Sequence, residues 1–156
     1  VYDIFEPLYA GKLSNKEKSK ALTSLIFLKE KRDGKIKARS CANGSVQREH
    51  VAKEDAAAPT VALESVFVTA TIDAKEKREV VTIDIPGAFL HADNDDYVIM
   101  KMNVSLAELM VKTDPKIYRK YVTIEKGRQV LYLRLQKALY GMMKSALLFY
   151  KKLVKV

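Results

Sequence analysis

Gln129-Val130-Leu131-Tyr132-Leu133-Arg134-Leu135 decides the fold class. Val130, Tyr132 and Arg134 fall on one side of an extended chain and Leu131, Leu133 and Leu135 on the other, because successive side chains of a strand point to opposite faces. The alternation predicts a strand with one wholly apolar face. Gly127-Arg128 reads as the turn that feeds it. Upstream, Ser105–Lys112 and Pro115–Tyr121 read as short helices and Tyr97–Met102 as a second strand. Downstream, Lys137–Val154 has helical periodicity, interrupted by Gly141 near its start. Glu79–Ile85 is a short β-branched run and is predicted as a buried strand ending at Asp84.

The first half of the chain adds strands and helices in no regular alternation. Ser14-Asn15-Lys16-Glu17 fits a capping box and predicts a helix through about Leu22. Ser24–Lys31 and Ile36–Arg39 flank Asp33-Gly34, a hairpin signal. Asn43-Gly44 marks another turn, and residues 47–59 read as a loop. Thr60–Ala74 is ambiguous: its Val and Thr content favours strand, whereas its length and the spacing of Val61, Leu63, Val66, Phe67, Ala70 and Ile72 allow a buried helix. Helix is the reading adopted. The mixture predicts an α+β fold.

Composition narrows the function classes. The 156 residues are 48% hydrophobic with 6 Gly and 4 Pro, a globular composition with no low-complexity segment. No apolar run is long enough to span a bilayer, and Val1-Tyr2-Asp3-Ile4-Phe5 is not a signal peptide. Lacking an initiator Met, the chain is expected to be a fragment or a trimmed form of a protein. The single Cys41 has no internal disulfide partner and is expected to be a plain thiol in a reducing compartment. The net charge of +9 is uneven: residues 1–60 carry 12 basic and 8 acidic side chains, residues 61–111 carry 4 and 9, and residues 112–156 carry 12 and 2. Basic flanks suit a phosphate backbone, and a local acidic set suits a hard cation. Neither His50 nor His91 has a Cys or His neighbour at metal-ligand spacing. Asp93-Asn94-Asp95-Asp96 lacks the Gly and terminal Glu of a calcium loop and reads as an acidic turn between strands.

Asp84, at the end of an apolar strand, has two readings. It is a metal ligand held by a rigid element, or a strand-end carboxylate accepting hydrogen bonds from the following turn. Its context separates them. Asp84-Ile85-Pro86-Gly87-Ala88-Phe89-Leu90-His91-Ala92-Asp93 resembles the first polymerase motif of copia-type reverse transcriptases, D-V-x-x-A-F-L-N-G-D. Upstream, Lys31-Arg32-Asp33-Gly34, Lys37-Ala38-Arg39 and Gln47-Arg48-Glu49 resemble that family's K-x-D-G, Y-K-A-R-L-V and Q-x-x-G segments. Downstream, Leu135-Gln136-Lys137-Ala138-Leu139-Tyr140-Gly141 resembles L-K-K-A-L-Y-G-L, and Phe149-Tyr150-Lys151-Lys152-Leu153 resembles W-Y-K-K-L. Three blocks in the family's order span residues 27–153.

The resemblance implies a partial right-hand polymerase fold, a fingers hairpin plus an incomplete palm sheet with packed helices: about residues 14–75 are the fingers region, and about residues 76–156 are the palm with part of the fingers, the third polymerase motif missing. It implies templated DNA synthesis by nucleotidyl transfer to a primer 3′-hydroxyl, with two Mg²⁺ ions in the complete enzyme. It makes Asp84 the catalytic and metal-ligating carboxylate and the Ile85 backbone carbonyl a second, weaker ligand. Ile85, Phe89, Lys37, Arg39, Tyr140 and Gly141 become nucleotide-binding positions. Phe89 would lie under the incoming sugar, and Lys37 and Arg39 would meet its triphosphate, to which an Arg fork donates bidentately. Tyr140-Gly141 would let the backbone approach the nucleotide or template base. Implied partners are an RNA or DNA template–primer, deoxynucleotides and the rest of the Pol polyprotein, with no membrane. Implied surroundings are intracellular, a cytoplasmic particle or the nucleus.

The sequence also departs from the family. The aromatic-Val-Asp-Asp motif that supplies the other carboxylates is not among these residues, and one carboxylate does not hold two mutually repelling cations. Metal binding by this chain alone is therefore expected to be weak or absent, and polymerisation absent. Met142–Leu147 lacks the Pro and Arg of the family's L-K-Q-A-P-R, Ser40-Cys41-Ala42 replaces an apolar continuation, and residues 103–128 form a longer connection than the family's. A competing expectation is a non-catalytic, basic nucleic-acid-binding module from a decayed or domesticated element.

Overall fold

The computed structural model describes residues 3–155, so Val1 and Tyr2, on which the reading of the chain start partly rests, and Val156 lie outside the described residues. The strands are β1 (Phe5–Leu8), β2 (Leu22–Glu30), β3 (Ile36–Ala42), β4 (Ile99–Met102), β5 (Thr123–Glu125) and β6 (Arg128–Leu135). The α-helices are α1 (Asn15–Lys20), α2 (Lys53–Ala56), α3 (Leu63–Glu76), α4 (Val104–Thr113), α5 (Pro115–Tyr118) and α6 (Ser145–Val154). Strand order is β1-β6-β4-β2-β3, with β5 also on β6. The mixture is α+β, as the chain's patterning predicts.

β6 is the centre. It pairs antiparallel with β1 (Phe5↔Leu135), with β4 (Met100↔Leu133) and with β5 (Ile124↔Gln129). Its alternation sorts two apolar layers. Leu131, Leu133 and Leu135 join Leu22, Met100, Met102, Leu106, Ala107, Leu139 and Met142, whereas Val130 and Tyr132 join Ala10, Ala21 and Ile99. Each fully buried Leu or Met contributes roughly 1.5–3 kcal/mol relative to exposure. The Tyr132 hydroxyl, which burial would otherwise strand, donates to Glu125 at 3.0 Å.

β2 serves two structures. Leu22 and Thr23 pair in parallel with Met100 and Lys101, and both Leu22 and Ser24 are buried. From Ser24 to Glu30 the same strand pairs with β3 as a hairpin; its β2 arm is exposed from Leu25 onward, and its β3 arm turns buried only at Ala42. Gly34, at φ +75°, supplies the left-handed residue of the connecting turn. The Ser14 capping box forms as predicted, but α1 stops at Lys20 because Leu22 is drawn into the sheet.

Four expectations need correction. Residues 80–85 are not a buried strand: no ladder includes them, and Val81 and Ile83 are 79% and 82% exposed. Their β-propensity meets no neighbouring strand among the described residues, and propensity without a partner does not make a ladder. Thr60–Ala74 does become helical, as α3, but none of its residues is buried. Its threonines fit a helix because Thr69 and Thr71 donate to the carbonyls of Ser65 and Phe67. It ends in a left-handed Lys77 with Arg78 N–H reaching back to the Asp73 carbonyl, a 6→1 stop. The helix expected from Lys137 begins only at Ser145, because Ala138 N–H bonds the Ala92 carbonyl and Gly141 sits at φ +90°. The loop expected over 47–59 contains the end of a 3₁₀ turn (Gly44–Glu49) and α2.

Candidate functional site

The site is best followed from the turn after β6. Leaving the sheet, Gln136–Tyr140 runs beside Ala92–Asn94: Asn94 N–H donates to the Gln136 carbonyl, Ala138 N–H to the Ala92 carbonyl, and Asp93 pairs with Lys137. That Lys137 contact, with Lys152 adding attraction, holds the Asp93 carboxyl below its ordinary range. Asn94 is buried and donates from its side chain to the Leu135 and Asp96 carbonyls. The stretch following Asp84 is thereby fastened to the stretch preceding α6.

The turn itself docks on the hairpin's base. Ala42 N–H donates to the Tyr140 carbonyl at 2.8 Å, and Met143 N–H donates to the Gln47 side chain at 3.0 Å. A Cβ on Gly141 would overlap the Ala42 carbonyl, and one on Gly44 would overlap the Gly141 carbonyl. Glycine is required at both positions by close approach of two backbones, and at Gly141 by its positive φ as well. Ser145, buried, donates to the Leu139 carbonyl at 2.6 Å and closes the turn.

Aromatic rings seal the junction. Phe89 lies 4.6 Å, centroid to centroid, from Tyr140 and 6.3 Å from Phe149, both at tilted or edge-on angles that suit ring quadrupoles. Phe89 and Tyr140 are thus brought together, and Gly141 is brought against β3. The 3₁₀ turn Ala88–His91 that carries Phe89 follows Gly87 at φ +63°. The His91 ring nitrogen lies 3.2 Å from the Pro86 carbonyl, tying that turn to the segment just after Asp84.

Asp84 and Ile85 lie outside this junction. Asp84 is exposed in a segment that joins no helix or ladder, and no side-chain hydrogen bond or ion pair involves it among the described residues. Two divalent cations need several converging carboxylates. Among the described residues, no group of three or more Asp, Glu, His or Cys side chains is placed to hold a metal. Asp84 and the Ile85 carbonyl therefore do not fit a two-cation site by themselves.

Lys37 and Arg39 lie on the hairpin, both exposed and without an ion pair among the described residues. The register places Lys37 opposite Lys29 and Arg39 opposite Phe27, so one face of the ribbon carries three cations around an exposed Phe27. The other face, with Ile26, Leu28 and Ile36, is apolar and exposed. The arrangement can meet phosphate on one side through uncompensated cations.

A family model described as reverse transcriptase (RNA-dependent DNA polymerase) matches residues 12–156. The chain belongs to the reverse transcriptase family. No solved structure matches it. In this reverse transcriptase chain the three blocks of resemblance meet at one place: the hairpin base at Ala42, the Phe89 turn, and Tyr140-Gly141 with Phe149. Membership of the family implies a nucleic-acid template as partner. Among the described residues no helix is long and apolar enough to cross a membrane.

Sequence reasoning gave no site role to Gly44, Gln47, Asn94 or Phe149, although Gln47 and Phe149 stand in segments that resemble the family's. Gly44 carries a signal, a Gly after Asn, but that signal speaks of turn chemistry and not of a docking point. Nothing in the sequence marks Asn94, set in an acidic run, as the one member that turns inward.

Proposed function

We propose that this chain is the fingers and the first part of the palm of a copia-type reverse transcriptase, a nucleotide- and template-facing piece that does not polymerise by itself. The observation that carries the reading is the convergence of the three family blocks, held by the Ala42–Tyr140 hydrogen bond and the Phe89–Tyr140–Phe149 contacts. In this reading the basic face of the hairpin, with Lys37 and Arg39, binds the triphosphate of a deoxynucleotide, and Phe89 lies under the sugar. Mg²⁺, where the full set of carboxylates is present, supplies charge neutralisation of the phosphates. This chain offers Asp84 and the Ile85 carbonyl toward it.

The test is primer extension with the purified 156-residue chain. No incorporation is expected, while a fluorescent deoxynucleoside triphosphate binds and Lys37→Ala/Arg39→Ala abolishes that binding. Mg²⁺-dependent incorporation lost in Asp84→Ala would show that the chain assembles a site its geometry lacks. Nucleotide binding indifferent to Lys37 and Arg39 would remove the assignment of the hairpin.

A second reading, a basic nucleic-acid-binding module, is favoured by α6. Lys144, Lys151, Lys152 and Lys155 recur at helical spacing on one face, and Lys151, Lys152 and Lys155 line a groove with Asp93 and Asp95. This reading places duplex binding on α6, with affinity falling steeply as salt rises. Lys151→Ala/Lys152→Ala removes the binding here and spares it if the hairpin is the main contact.

A further inference from the structure

The connection from β4 to β6, where the sequence departs from the family's, walls an open cleft. Asn103 and Val104 at the start of α4 line it, together with the β5–β6 turn. Its volume, about 810 Å³, lies within the range of small-molecule sites. Met102 and Val130, both buried, give it an apolar base. None of the hairpin cations lines it.

Its rim is cationic. Lys101, Lys126 and Arg128 line the cleft beside one carboxylate, Glu125. That carboxylate is already engaged: it meets Lys101 at 2.6 Å and Lys18 at 3.5 Å and accepts from the Tyr132 hydroxyl. The β5–β6 register sets Arg128 opposite Glu125, yet no ion pair joins them, because Glu125 is turned to Lys101 and Lys18. Lys126 and Arg128 have no ion pair among the described residues. Four cations around one carboxylate leave three positive charges in excess. Cations gathered in a cleft concentrate anions there. Lys126 is also held in an unusual backbone. Lys126 at φ +50° and Gly127 at φ +73° are the two left-handed residues of a tight hairpin turn whose first position favours Asn, Asp or Gly. The turn fixes a cation where local chemistry would take a smaller residue.

Cations above an apolar base suit a ligand that is anionic at one end and flat and apolar at the other. We propose that the cleft binds a nucleoside phosphate, its phosphate on Lys126 and Arg128 and its base on Met102 and Val130, as a second site apart from Lys37 and Arg39. A guanidinium fork donates bidentately to phosphate, and an ammonium serves as a point charge. The Asn103 side-chain oxygen caps α4 at Leu106 N–H, which leaves its amide N–H groups without a partner among the described residues. The Thr23 hydroxyl, also on the cleft, is likewise free among them. Both can meet the polar edge of a base or a sugar. A free nucleotide and one nucleotide of a strand offer the same chemistry.

Methyl NMR on the full chain, with labelled Met and Val, reads this site directly. Titration with adenosine 5′-monophosphate is expected to move the Met102, Val104 and Val130 signals. Lys126→Asn/Arg128→Gln is expected to weaken that binding by about tenfold or more, and the turn accepts Asn without strain. Lys37→Ala/Arg39→Ala leaves it unchanged, so failure of this site and failure of the hairpin assignment are told apart. A short oligodeoxynucleotide that binds the same methyls more tightly than the monophosphate assigns the ligand to a strand. The opposite order assigns it to a free nucleotide, and either order supports the site. Methyls that stay still, binding that survives Lys126→Asn/Arg128→Gln, or adenosine binding as tightly as its monophosphate would each overturn the proposal.

Discussion

Gln129–Leu135 and Glu79–Ile85 are both β-branched or aliphatic runs that end in or near a charged residue, and both read as strands. One became the central strand of the sheet, with Leu131, Leu133 and Leu135 at 0% exposure. The other joins no helix or ladder and leaves Ile83 82% exposed. Their residue types do not explain the difference. β6 has ladder partners in β1, β4 and β5, so its backbone groups are satisfied and its apolar side chains have layers to enter. Residues 79–85 have no such partner among the described residues. A strand is a relation between segments, and intrinsic preference supplies only one side of it.

The largest effect that sharpens this comparison is in β6. Leu133→Ala removes buried methyl groups from a layer that includes Leu22, Met100 and Leu106 and cannot fully close around the void. It is expected to lower unfolding free energy by about 2–5 kcal/mol in urea denaturation. A loss below about 1 kcal/mol would mean that the layer is loosely packed and that β6 is not the stabilising centre its burial indicates.

Gly141→Ala comes next. The substitution sets a Cβ against the Ala42 carbonyl and forces an L residue to φ +90°. A cost of about 1–3 kcal/mol is expected from the backbone conformation, with more from displacing β3. Hydrogen exchange should speed at Ala42 and Met143, whose amides bridge the docked segments. If exchange is unchanged while stability falls, the hairpin does not depend on this turn.

These two positions show what was legible. The strict alternation of β6 told its two faces apart, and the structure assigns them to two separate apolar layers. The Ser14 box and the Asp33-Gly34 hairpin are local signals that formed locally. The family blocks were legible as order along the chain. Their convergence was not, because contacts such as Ala42 with Tyr140 join residues almost a hundred positions apart and depend on backbone, which carries no residue code. The early helix expected from Lys137 failed for the same reason: periodicity described the side chains, while Ala138 N–H was already engaged by Ala92. Whether Glu79–Ile85 had a neighbour could not be read from its own seven letters.

A smaller effect lies at the sheet's edge. Lys101 donates to Glu125 at 2.6 Å, holding that carboxyl below its ordinary value and raising the Lys101 ammonium above its own. A depressed carboxylate contributes stability that is present above its unfolded value and lost as pH falls through its folded one. Acidification below about pH 4 should therefore cost the parent chain more than it costs Glu125→Gln. The difference should reach at most about 1 kcal/mol, since both groups are partly exposed. Equal acid sensitivity in the two proteins would show that the pair adds nothing.

The smallest effect is expected at Ile83, and it is the most discriminating. Ile83→Ala deletes methyl groups that are already in water, so unfolding free energy should change by no more than about 0.5 kcal/mol. Had residues 79–85 been the buried strand that their composition suggests, the same substitution would cost several times more. A cost of that size in urea denaturation would mean that the segment finds its partner within the chain.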